Sequence, residues 1–162
     1  MLDLDYRRDA IVVRIRTATP AVLDSVLLDG LAAAITYIGP RRPIVLTGVG
    51  SVFAPDVETA PCPARTDALN RLPGVLSALR SHPLPVVAAI NGDAIGAGYA
   101  LAETADVRIM SGGAVEPSSR RALRLQPRAA VAAGLVELHC SPGHLIDLAL
   151  RLAAQPQGAL AG

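Results

Sequence analysis

At 162 residues, 51% hydrophobic and 18% charged, the chain is long and apolar enough to bury a core as one domain, which excludes a disordered segment. With three Tyr, one Phe and no Trp, the core must be built from Ala, Val, Leu and Ile, and the aromatic platforms of single-strand nucleic-acid binders are missing. A formal net charge of +1, without a long basic run, points away from nucleic acid and from anionic membranes.

Residues 1–8 are charged and carry no signal-peptide pattern, and no uncharged window reaches transmembrane length. The expectation is a soluble cytoplasmic protein. Residues 10–15 read as a strand, outer or half-covered because Arg14 and Arg16 alternate with apolar residues. Thr19 then offers a helix cap and Pro20 a first helical position. The helix predicted over 21–37 has an apolar stripe of Val22, Leu23, Val26, Leu27, Leu31 and Ile35, with Asp24 and Asp29 off it and Gly39-Pro40 as its stop. Residues 44–47 read as a second strand. The loop 48–56 follows, then a proline-broken irregular stretch over 57–70, then a helix over 71–82 stopped by Pro83 and Pro85.

The densest signal lies at 84–110. Val86 to Ile90 is a short apolar run that closes on Asn91-Gly92, as a buried strand does. Gly92, Gly96 and Gly98 punctuate the turn, 99–104 reads as a helix and 105–110 as a strand. Glycines between a strand and a helix let backbone approach a ligand closely. This makes the turn the best candidate site. The order so far, β-α-β-α-β-α-β, predicts a layered α/β core with right-handed crossovers.

Residues 111–128 are a polar, arginine-rich connection, and 129–162 a short C-terminal helical region with a final helix over 144–155 and a tail. No internal repeat is evident. Arg120, Arg121, Arg124 and Arg128 are read as a solvated face rather than an anion-binding patch. Cys62 and Cys140 are far apart and lack a partner base, so they are ordinary residues, and no Cys/His cluster has metal-ligand spacing. Glu103 is read as a solvated helix charge, Glu116 as a loop charge, and Asp93 as a turn residue that bonds backbone.

Three blocks carry a resemblance to the crotonase superfamily, the enoyl-CoA hydratase/isomerase proteins. They are IVLTGVGSVFAPD over 44–56, LPVVAAINGDAIGAGYALAETADV over 84–107, and AAGLVELHCSPGHLIDLALRL over 132–152. The middle block is the most specific. The resemblance implies a crotonase-like (ClpP/crotonase) α/β spiral of ββα turns, with residues 1–110 as its core and a shortened C-terminal helical part. It implies an acyl-CoA or related acyl thioester as substrate or ligand, no further cofactor, and a homo-oligomer, trimer or hexamer. It also implies two backbone N–H groups holding the thioester oxygen. One maps to Ala97, between Gly96 and Gly98. The other maps to Pro55, which has no N–H, leaving Ala54 or Asp56 to supply it. The two hydratase glutamates map to Ala100 and Arg120, so the usual acid/base pair is absent and ordinary hydratase activity is not expected. Asp106 matches a structural position. Arg41 and Arg42 either meet CoA phosphates or cap the preceding helix. A non-catalytic binding or assembly partner of the same fold is the alternative.

Overall fold

A computed structural model of the chain describes residues 1–120 and 122–155. Its main sheet has six strands in the order β1-β2-β3-β5-β7-β9, and a second sheet has three in the order β4-β6-β8. Strands β1 (Leu2–Tyr6) and β2 (Ile11–Ile15) form an antiparallel pair. Strands β3 (Ile44–Gly48), β5 (Val86–Ile90), β7 (Val107–Met110) and β9 (Leu138–His139) continue the sheet in parallel. Strands β4 (Val52–Ala54), β6 (Asp93–Ile95) and β8 (Val115–Glu116) are parallel to one another. The helices are α1 (Ser25–Ile38), α2 (Pro63–Arg80), α3 (Ala97–Glu103), α4 (Pro127–Ala132) and α5 (Leu145–Ala153), the last entered through a 3-10 turn at Pro142–His144.

Chain order therefore repeats one unit three times: a main-sheet strand, a short second-sheet strand, then a helix. These are β3-β4-α2, β5-β6-α3 and β7-β8-α4. The alternation of side chains along each strand sends Ile44, Leu46, Val86, Ala88 and Ile90 into the larger core, and Val45, Val87 and Ala89 to the opposite face. That opposite face is covered by Leu145, Ala149 and Ala153 of α5, so both faces of the parallel strands are buried. The apolar side of the final helix thus finds its partner within the chain.

Several expectations need correction. The charged N-terminus, to which the sequence reading assigns no element, forms β1, whose Asp3 and Asp5 pair with Arg16 and Arg14. It follows that β1, not β2, is the outer strand, and β2 is buried apart from half-covered Arg14. The first helix does not start at Pro20. Its cap is Asp24, whose carboxylate accepts the Leu27 N–H at 2.8 Å. Val26 lies off the buried face and is 77% exposed, and that face runs through Leu27, Leu28, Leu31, Ala34 and Ile35. Asp24→Ala should lower stability by about 1 kcal/mol. Chemical denaturation checks this, and an unchanged midpoint would show that the cap is dispensable.

The stretch 63–70 is helical, not irregular. Cys62 caps α2 through its Sγ, which accepts from Arg65 N at 3.4 Å, and Pro63 takes the first helical position. Prolines around the cap start this helix rather than break it. The strand pattern read from sequence also lacks β4, β6 and β8, because strands of two or three residues are too short to show a period. No described helix is long and apolar enough to cross a membrane. The tail 156–162 and Arg121 lie outside the described residues.

Candidate functional site

The loops that leave β3, β5 and β7 stack on one another, and one side chain ties two of them together. Asn91 ends β5. Its Oδ1 accepts the Gly48 N–H at 2.9 Å, and its Nδ2 donates to Gly50 O at 3.0 Å and Val52 O at 3.2 Å. Gly92 is required by the same closeness: a Cβ there would stand 2.2 Å from the Ser51 carbonyl. Asp93 N–H donates to Ser51 O at 2.9 Å, and its carboxylate accepts the Ala114 N–H at 2.9 Å. Asp93 opens β6 rather than lying in the turn, but its carboxylate bonds backbone as the sequence reading has it.

The second sheet carries the chain from this stack into Gly96-Ala97-Gly98. Gly96 N–H donates to Glu116 O at 2.7 Å, and Gly96 adopts φ 55°, a conformation that favours glycine. Gly98 lies against β4, where an added Cβ would be 1.9 Å from Ala54 O. These contacts press the start of α3 onto the segment 54–57. There the Asp56 carboxylate reaches across, and its Oδ1 accepts the Ala97 N–H at 3.0 Å and the Val57 N–H at 2.8 Å. Two backbone amides from separate segments thus converge on one oxygen atom. The Asp56 backbone is itself pinned, with its carbonyl accepting the Leu23 N–H at 3.0 Å.

The residues singled out from the sequence fall into groups. Ala97, Gly96, Gly98, Ala54 and Asp56 come together. Within that group Ala54 is fully buried and presents its carbonyl to Gly98, and Asp56 brings an acceptor to Ala97. Val57, which supplies the second N–H on the shared oxygen, was not among them. Its only sequence signal is adjacency to Asp56. Ala100 is half-buried on α3, Glu103 is exposed, and Arg120 is exposed on the connecting segment. Glu116 Oε1 accepts from Ala122 N and Arg124 Nε, both at 3.3 Å, which holds it to its own loop.

Arg41 lies elsewhere. It lines a cleft with Arg8, Arg42, Leu84 and Pro85 where β3 and β5 begin, whereas Asn91-Gly92 is where β5 ends. Each strand has five residues, so roughly 13 Å separates its two ends. Asp106 is structural as expected: its carboxylate accepts the Val86 N–H at 2.8 Å, and its own N–H donates to Val86 O at 2.8 Å, closing the turn into β7. Behind the site the Tyr99 hydroxyl donates to Leu135 O at 2.7 Å. Burial, with a smaller contribution from Glu103, pushes the Tyr99 phenol above its ordinary pKa and keeps it a donor. No group of three or more His, Cys, Asp or Glu among the described residues is placed to hold a metal ion.

The spiral of ββα turns, with its Gly-rich turn set against the loop after β4, is a crotonase-like fold. Solved structures agree. The chain matches DspI of Pseudomonas aeruginosa with a TM-score of 0.82 at 24% identity, covering 98% of this chain and 82% of that one. It matches an enoyl-CoA hydratase/isomerase family protein of Pseudomonas syringae with a TM-score of 0.85 at 18% identity, covering 98% and 86%. The enoyl-CoA hydratase/isomerase family profile matches residues 9–155, and the chain belongs to that family. Its sequence is 40% identical over 91 residues to a probable enoyl-CoA hydratase of Mycobacterium bovis, covering 55% of this chain and 37% of the relative. It is 33% identical over 126 residues to a probable enoyl-CoA hydratase of Rhodobacter capsulatus, covering 74% and 49%. The chain thus spans between a third and a half of the length of these curated relatives.

Proposed function

We propose that the chain binds an acyl-CoA, or a related acyl thioester, and polarises its carbonyl between two backbone N–H groups. The observation that carries this reading is the convergence of the Ala97 and Val57 amides on a single oxygen. Fixed donors of this kind favour charge that develops on a carbonyl oxygen, and each is worth about 2.7–4 kcal/mol in transition states. Family membership supplies the ligand class, and the relatives are probable enoyl-CoA hydratases. Hydration itself is not part of the proposal. With Ala100 and Arg120 where the two glutamates belong, the acid and base are missing, and each is worth roughly 10²–10⁴-fold.

The test is calorimetry with crotonyl-CoA and acetyl-CoA beside a hydration assay. The expected result is heat of binding with hydration close to the uncatalysed rate. Ala97→Pro removes the N–H at a first helical position, which tolerates proline, and should weaken binding about tenfold. No heat with any CoA ester, either from the unchanged chain or from one in which the Asp56 carboxylate is removed, would overturn the reading. Hydration well above background that survives Ala97→Pro would overturn the assignment of Ala97.

One observation favours a second reading, a non-catalytic binding or assembly partner of the same fold. The two amides already have an acceptor in the chain's own Asp56. Light scattering tests the homo-oligomer, trimer or hexamer, that accompanies either reading.

A further inference from the structure

We infer that Asp56 is an internal plug: its carboxylate sits in the seat of the ligand's carbonyl oxygen, and an acyl thioester enters only when that side chain leaves. The inference rests on the acyl-thioester reading above and deepens it. Three features support it. Asp56 Oδ1 takes both amide donors at once, at 3.0 Å from Ala97 N and 2.8 Å from Val57 N, so no N–H at this point is left for a second acceptor. Gly96 makes the room, since a Cβ on residue 96 would stand 2.3 Å from Asp56 Cγ and Oδ2. The Asp56 backbone is anchored to Leu23 N while its side chain is only half-buried, so rotation about the side-chain bonds can move the carboxylate out without unfolding β4.

The chemistry of the plug sets the direction of the effect. A carboxylate accepting backbone N–H bonds is a stronger acceptor than a neutral carbonyl. A thioester oxygen, being neutral, competes poorly for the same two donors. The plug therefore lowers ligand affinity by the difference, and it makes Val57, rather than Ala54 or Asp56, the donor that completes the pair. Asp56 is a positioning residue: it forms no bond to a substrate and acts through the two amides.

The experiment compares the unchanged chain with Asp56→Ala and Asp56→Asn, using calorimetry with crotonyl-CoA and amide NMR. Asp56→Ala should bind at least about tenfold more tightly than the unchanged chain. On adding crotonyl-CoA to Asp56→Ala, the amide resonances of both Val57 and Ala97 should move. Asp56→Asn keeps an acceptor of the same shape without the charge, so it preserves the local fold and should bind with intermediate affinity. If Asp56→Ala does not fold, the Asn variant alone carries the comparison. Equal affinity in the unchanged chain and the folded variants would overturn the plug while leaving the acyl-thioester reading intact. Movement of Ala97 without Val57 would overturn the two-donor seat. No binding by any of the three proteins would overturn the acyl-thioester reading, and the plug with it.

Discussion

Gly98→Ala should destabilise the protein by about 3 kcal/mol or more, the upper range of overpacking costs. In a helix taken alone the same change would stabilise by about 1 kcal/mol, because alanine is the better helix former. The sign reverses because of what lies opposite. The added Cβ would stand 1.9 Å from Ala54 O, 2.5 Å from Ala54 C and 2.8 Å from Pro55 O. All three are backbone atoms of a buried segment and cannot turn away as a side-chain tip can. Either β4 gives up its register with β6 or α3 lifts from it. Thermal unfolding should show a drop of roughly 6–12 °C for a chain of this size. A midpoint at or above that of the unchanged chain would mean that the close packing of α3 on β4 is not needed for stability.

Asn91→Ala should cost about 2–4 kcal/mol through the loss of several hydrogen bonds at once. Gly48 is buried, and its N–H would lose its acceptor at 2.9 Å. The carbonyls of Gly50 and Val52 would lose their donor. The loop after β3 would then hang on Asp93 N–H donating to Ser51 O alone at this level of the stack. Asn91→Asp separates the two halves of the clamp. It keeps an acceptor for Gly48 but turns a carboxylate oxygen toward two carbonyls, so it too should be destabilised. Urea unfolding measures both variants, and a loss below about 1 kcal/mol for the alanine change would show that the loop stack holds without the clamp.

Asn91 also illustrates which parts of the site could be read in advance. Asn-Gly after an apolar run marks the end of a strand, and the strand ends there. Nothing local indicates that the Asn side chain turns back more than forty residues to hold Gly48, since that contact depends on β3 and β5 being neighbours in parallel register. The same holds at Asp56. Its place before a helix-poor stretch reads as a loop end, but its role follows from Gly96 and Gly98 drawing α3 against it. Asp106 was legible only through the resemblance, since its partner, Val86 at the start of β5, lies twenty residues away.

What the sequence by itself determined is the material of the fold: the apolar runs of β2, β3, β5 and β7, the helices between them, and a Gly-rich turn whose spacing marks the family. These are local properties, set by side-chain period and backbone freedom over a few residues. Tertiary structure alone decided the rest. The strands of the second sheet are two or three residues long and exist only because their neighbours pair with them. The start of α1 was decided by where Asp24 reaches a free N–H, not by the first proline. Above all, the hydrogen bond from Ala97 to Asp56, on the same oxygen that Val57 reaches, joins residues about forty apart, and a bond across that separation is set by packing, which no short window of sequence contains.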